Sequence, residues 1–486
     1  MVDGHTIQDP RNEPPRVRPF TLLAAVLVLV LIGGAVVYGG LLLVRTYTLS
    51  GDNPYPDSWD PRVEPFVRIV EKERGLDFEH PVRVDFVNSQ DFRTALASDT
   101  ETLRAESQVD PEGTAGVLRA VGMLDKGIDI RAAARRLDHL GVMVFYSNQH
   151  ERIWIRGTKL TPVTKSHLVH ELTHVLQDQH FDLRTRSKLL AEQEDTTGLT
   201  SFRAVIEADA IRVEHAWASG LRKEKAAALK RSKAAQERSL KKRGADLPRV
   251  VEVVAGAPYS AGVALISLLD RKEGQHAVDR LFAVPPRTDE QLMNPWTFLD
   301  GADAAVTVRK PRLGKHEKEL DAGTLGAADW LLVLAQRIPP LRALDAVDGW
   351  GGDSYVAFTR GGTSCLRATY RGDTSRDTTE MAGALRAWVA AVPNGPASVR
   401  VQGKALAFES CDPGARATFE PAKSLDALRV VVTRTVVATG MMSEGLEFAA
   451  CASNRLVHRF SVKQLLDSKP GPALVRAATA VAAPCR

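Results

Sequence analysis

Between Phe20 and Val44, twenty-five consecutive residues carry no charge, and most are Leu, Val, Ala, Ile or Gly. A helix rising about 1.5 Å per residue over such a run crosses a hydrocarbon core of about 30 Å with some tilt to spare. No polar stripe divides it, which argues against a buried core helix. A cleaved signal peptide is the stronger rival, but its apolar stretch normally covers about 7–15 residues and ends at small side chains. Leu41-Leu42-Leu43-Val44-Arg45 is a poor place to cut. The expectation is therefore an uncleaved transmembrane helix over residues 19–45, behind a cytoplasmic tail of residues 1–18. Arg11, Arg16 and Arg18 precede the run, whereas only Arg45 follows it before Asp52 and Asp57. The positive-inside rule then puts the N-terminus in the cytoplasm and the rest of a single-pass cell-membrane protein outside. Gly33, Gly34, Gly39 and Gly40 would let two such helices approach, a route to a homodimer.

The remaining composition is that of a folded protein. Of 486 residues, 44% are hydrophobic and 25% charged, which excludes disordered, collagen-like and disulfide-dense chains. Lys plus Arg number 64 against 59 Asp plus Glu, a net +5 that is too slight for a nucleic-acid partner. Cys365, Cys411, Cys451 and Cys485 are the only cysteines, all in the last quarter of the chain. An even number confined to one exported unit reads as two disulfides, with three connectivities open. Their spacings of 46, 40 and 34 lack the paired C-x-x-C pattern of a four-thiolate zinc site.

Along the chain, period-two alternation marks Val82–Val87 as a strand, and Gly141–Phe145 and Arg152–Arg156 read as two more around a polar turn. Helices are expected over Lys165–Phe181 and Leu199–Ala218. Leu221–Arg243 holds ten basic residues and few apolar ones. It reads as a solvated helical arm, an anionic lipid surface being the only partner worth naming for it. Pro339-Pro340 and Gly349-Trp350-Gly351-Gly352-Asp353 mark a boundary, giving a domain over 46–345 and a smaller cysteine-bearing α+β domain over 346–486. In the second, strands are expected at Tyr355–Thr359, Leu366–Tyr370, Val399–Gln402 and Ala405–Ser410, with a helix at Thr379–Ala391.

One stretch carries chemistry on its face: His170-Glu171-Leu172-Thr173-His174. Residues i and i+4 share a helix face, so both imidazoles can hold one Zn2+, with Glu171 beside them as general base. Leu168, Leu172, Val175 and Leu176 supply the apolar face that would seat this helix on a core. A catalytic zinc needs a third protein ligand and an open position. His180 follows His174 by six residues, the metzincin spacing, but Gln177 stands where that pattern needs a helix-breaking Gly. Glu207 lies in the otherwise apolar Ala204-Val205-Ile206-Glu207-Ala208, where a carboxylate is costly to bury without a positive partner. Glu207 is the expected third ligand and His180 the second choice. Asp209 falls about 200° further round the helix and should orient a loop or face solvent. His167, one turn before His170, is either a support for the ligands or a surface residue. In zinc peptidases the strand before such a motif often lies at a sheet edge and pairs with an extended peptide, and the strand about ten residues upstream is expected to resemble it.

Leu168–Leu183 resembles the active helix of a bacterial, actinobacterial-type family of neutral zinc metallopeptidases. Val205–Ala210, Pro285–Gln291 with Asn294-Pro295, Pro258-Tyr259 and Gly349–Asp353 are similar to further segments of that family, and the likeness covers about 140–355. The resemblance implies His170, His174 and Glu207 as ligands and Glu171 as base. Ala208 replaces the usual Gly, and Asn294 stands where a His often occurs.

The combined expectation is an α+β protein: a single N-terminal transmembrane helix, a zincin-like domain and a small disulfide-containing domain. It would be a zinc metallopeptidase of the gluzincin type, outside the cytoplasm, acting on peptide or protein substrates. Zinc would acidify water and polarise the scissile carbonyl, while Glu171 moved the proton to the leaving amine. Tyr259 and His215 are candidate oxyanion donors. Two rivals remain: a catalytically silent envelope protein with a structural zinc, and a zinc amidase of cell-wall material.

Overall fold

The computed structural model describes residues 55–486 apart from 108–109, 139, 193–195, 246, 302–303, 394–395, 415–420 and 468. Residues 19–45 lie outside the described part, and so does any homodimer built through them. Among the described residues no helix is long and apolar enough to cross a membrane. The two longest, Thr196–Ser219 and Arg249–Glu273, contain charged residues and pack against one another. The expected transmembrane helix, the single-pass membrane localisation and the fold class that included them are therefore withdrawn. What is observed is a mixed helix and strand unit over Ser58–Arg486 with two disulfides.

A small mixed sheet has the order β1 (Arg83–Val87), β3 (Arg152–Arg156), β2 (Val144–Ser147). β1 runs parallel to β3, and β2 antiparallel to it. Alternation sorts β3: Ile153 and Ile155 are fully buried towards the helices, while Trp154 stacks on Phe145 on the other face. Against the first face pack Val67 and Val70 of helix Glu64–Arg74 and Leu168, Leu172, Val175 and Leu176 of helix Pro162–Phe181. β3, the strand about ten residues before the motif, is thus central. The edge next to the motif helix is β2.

The second sheet is antiparallel, in the order β4 (Lys318–Gly323), β5 (Trp350–Arg360), β6 (Thr363–Gly372), β8 (Ala405–Cys411), β7 (Ala397–Gln402). β4 precedes the expected boundary at 345/346 and pairs with β5 beyond it, so this sheet draws on both sides. Trp330, Tyr370, Phe408 and Trp388 meet edge to face beneath it, an arrangement that fills a core with large apolar area. Helix Thr196–Ser219 joins the two cores: Phe202, Val205 and Ala208 enter the larger one, Val213 and Trp217 the smaller. A residue midway along it, such as Glu207, is held from both ends.

The basic stretch forms helix Lys223–Arg243, which packs on the motif helix rather than standing free. Leu229 is buried in the smaller core, Lys233 pairs with Glu214, and Gln236 donates to the Gly141 carbonyl.

The disulfides join Cys365 to Cys411, directly opposed on β6 and β8, and Cys451 to Cys485. Both point to an oxidising compartment. The first closes a separation of 46 residues, so removing both thiols as Ser should cost about 3–5 kcal/mol on the chain-entropy account. Urea unfolding of the double serine variant measures it; an unchanged midpoint contradicts this.

Candidate metal centre

Helix Pro162–Phe181 starts sharply because Thr161 accepts a hydrogen bond from the Thr164 amide and Pro162 takes the first helical position. Its apolar residues recur at 168, 172, 175 and 176, all fully buried. That face fixes the rotation of the helix and turns His170 and His174 towards helix Thr196–Ser219, with Glu171 towards strand β2. The His170 Nε2 and His174 Nε2 atoms are 3.1 Å apart. Glu207 brings one carboxylate oxygen to 3.3 Å from His170 Nε2 and the other to 3.7 Å from His174 Nε2. These three side chains form the only group among the described residues whose ligand atoms converge within 4.8 Å. The side chains are 17%, 13% and 36% exposed, so the cluster is recessed but open to solvent on one side.

The outer ring nitrogens are occupied, which leaves both Nε2 atoms to face the cluster. His170 Nδ1 lies 3.6 Å from Glu214, whose carboxylate also accepts from Ser166 Oγ at 2.5 Å and pairs with Lys233 at 2.7 Å. His174 Nδ1 lies 2.9 Å from Gln177 Oε1. The Gln177 amide in turn donates to Asp209 at 2.8 Å and to the Ile206 carbonyl at 3.1 Å. Asp209 is fully buried between Arg74, at 2.8 Å, and Arg212, at 2.9 Å. It therefore does not face solvent or a loop. It anchors the glutamine that holds His174. The Gln177 hydrogen bond fixes the orientation and tautomer of His174, and the Glu214 carboxylate, at ion-pair distance, steadies the His170 ring.

The electrostatics favour a cation at this point. Burial pushes the His170 imidazolium down, but Glu207 and Glu214 outweigh it and hold its pKa up to about 10. Burial pushes Glu207 up, yet His174 and His170 outweigh it and bring it to about 2. Glu214 is held low against the same desolvation by His170, Lys233 and Ser166. Two imidazole nitrogens and one carboxylate fit Zn2+, which takes N and O donors and leaves a fourth position open in catalytic sites. The protonated imidazole supplies the positive charge that a divalent ion would supply instead.

Glu171 sits beside this group with Oε2 accepting from the Tyr146 amide at 2.9 Å. Burial raises its pKa, opposed by the two histidines. Tyr146 belongs to edge strand β2, and its hydroxyl donates to Asp178 at 2.9 Å, so β2 is tied to the motif helix at two points.

His180 does not join the cluster. Its Nε2 lies 2.8 Å from the Asp77 carbonyl oxygen, because the helix continues unbroken through Gln177 and carries it off the ligand face. His215 is exposed, and the Tyr259 side chain lies outside those described. His167 is lowered by burial, with Glu214 opposing. Asn294 is buried between the short helices Glu290–Met293 and Pro295–Asp300 and is not among the converging groups. Two segments that carried the family resemblance have a structural task. Asp289 accepts from the Ala327 and Ala328 amides, and Asp353 from those of Leu325 and Gly326 and from both Trp330 and Trp350 indoles. Gly326, at φ 80°, permits that turn; a Cβ there would meet Asp289 Oδ2 at 2.6 Å.

Sequence reasoning missed Glu214 and Gln177. Glu214 lies seven residues after Glu207 on the same helix face, the one signal available. Glu214→Gln should weaken zinc binding about 10–100-fold in a chelator competition; an unchanged affinity shows that this carboxylate does not orient His170.

A family model described as a domain of unknown function, DUF8575, matches residues 312–439. No curated protein and no solved structure matches the chain. The matched segment takes in the second sheet and lies outside the His-His-Glu group.

Proposed function

We propose that this chain is a zinc-dependent peptidase, with His170, His174 and Glu207 as metal ligands and Glu171 as general base. The observation that carries the reading is a convergent His-His-Glu group with a partly desolvated carboxylate next to it. A purely structural zinc has no use for Glu171. When bound, zinc supplies Lewis acidity and acidifies water. Glu171 takes the proton of the attacking water and delivers it to the departing amine. The Tyr146 amide aims this carboxylate, and Glu214 and Gln177 hold the two rings. Edge strand β2 reaches the base through that same amide, which favours an extended peptide lying along it as an added strand.

The test is to strip metal from the purified protein, restore it with zinc, and offer a broad peptide library beside muropeptides. Peptide cleavage that chelator removes and zinc restores is expected. Stoichiometric zinc with no cleavage of any peptide refutes the proposal, and cleavage of muropeptides alone replaces it with an amidase.

A further inference from the structure

A second recess, of about 130 Å³, lies between helix Pro111–Ala120, strands β4 and β5, and helix Gly326–Ala335. Its walls are largely apolar, with Val117, Val121, Met123 and Val333 among them, and its polar lining includes Asp321, Asp329 and Thr324. Asp321 accepts from the Tyr355 hydroxyl at 2.6 Å. Asp329 has no hydrogen-bond or ion-pair partner among the described residues, although it sits deep enough for burial to dominate its ionisation. That burial comes first, with Asp289 and Asp353 adding repulsion, and its pKa is pushed up to about 7.

Asp289 and Asp353 are satisfied by the 325–328 amides and the two indoles, but no Lys, Arg or His pairs with any of these four carboxylates among the described residues. An unpartnered carboxylate at the end of an apolar recess calls for a cation that brings its own apolar surface. A metal ion is disfavoured, because these oxygens do not converge as those of the His-His-Glu group do. The volume is close to that of a cavity known to hold a six-carbon ring, roughly 150 Å³, so only a few heavy atoms of a guest fit.

We infer that this recess binds the end of an unbranched primary alkylammonium, its –NH3+ on Asp329 and its methylene stem against Val117, Val121 and Met123. Thr324, also in the lining, offers a hydroxyl oxygen for a remaining N–H. The elements involved are not those that carry the zinc group, so the inference stands apart from the proposed peptidase activity.

The test uses the full chain with its methionine methyls labelled, seven in all, titrated with n-butylammonium. Met123 is assigned through Met123→Leu. A saturable shift of the Met123 methyl is expected, the same in zinc-loaded and metal-stripped protein. Asp329→Asn should weaken binding by at least about tenfold, since a charge-assisted hydrogen bond is lost. Its melting temperature should be no lower than that of the parent, because the substitution removes an unpaired charge. n-Butanol, of similar shape but uncharged, should bind at least about tenfold more weakly. Absence of a saturable shift, equal binding by Asp329→Asn, equal binding of butanol, or saturation of the site by Ca2+ instead would each overturn the inference.

Discussion

Glu207→Ala should lose zinc by more than about 100-fold in affinity, beyond what a supporting residue contributes, while His180→Ala binds zinc like the parent. Glu207 reaches both Nε2 atoms, at 3.3 and 3.7 Å. His180 is engaged with the Asp77 carbonyl instead. The variant leaves two imidazoles and water, a poor set for Zn2+ against a competing chelator. Equilibrium titration with a chromogenic chelator measures both proteins. Retained zinc in the first and loss in the second would exchange the two assignments. Folding should survive, because the Glu207 side chain is 36% exposed and its neighbours Ala204, Val205 and Ala208 remain in the core.

The second large effect concerns the base. Glu171→Gln should lower kcat by about 10²–10⁴, the range for removing a positioned proton carrier, with zinc content and melting temperature close to those of the parent. The amide keeps an oxygen for the Tyr146 N–H to donate to and keeps the side-chain volume, but it cannot take a proton. A matching fall in zinc content would make Glu171 a ligand support instead. If activity survived undiminished, the base would have to be found elsewhere.

Much of this site could be read locally because its determinants are local. The apolar positions 168, 172, 175 and 176 set the helix face, and the i, i+4 histidines follow from it. Glu207 was legible because a carboxylate amid Ala, Val and Ile stands out. In the second sheet, alternating apolar positions marked β5, β6, β7 and β8, whereas β4, Lys-Glu-Leu-Asp-Ala-Gly, is an edge strand too polar to signal itself. Asp209 was misplaced for a different reason. Its burial depends on Arg74, from a helix remote in sequence, and no local pattern encodes a distant partner. Glu214 escaped notice similarly: its value lies in the 3.6 Å approach to His170 Nδ1, which only the packing of two helices creates. Which strand forms the sheet edge was also beyond local reading. β1 inserts in parallel beside β3 from more than sixty residues upstream and turns the strand expected at the edge into the central one.

The Arg74–Asp209–Gln177–His174 chain makes metal binding depend on the fold some distance from the ligands. Three of its members, Arg74, Asp209 and Gln177, are fully buried, and truncating one partner of a buried ion pair leaves a charge without compensation. The zinc reading therefore predicts that ligand geometry and stability of the smaller core change together.

Zinc content and peptide cleavage, measured on the same preparations of the parent protein and Glu171→Gln, test the central claim most directly. About one zinc per chain is expected in both, with cleavage in the parent alone. Zinc in both with cleavage in neither, or equal cleavage in both, would contradict it.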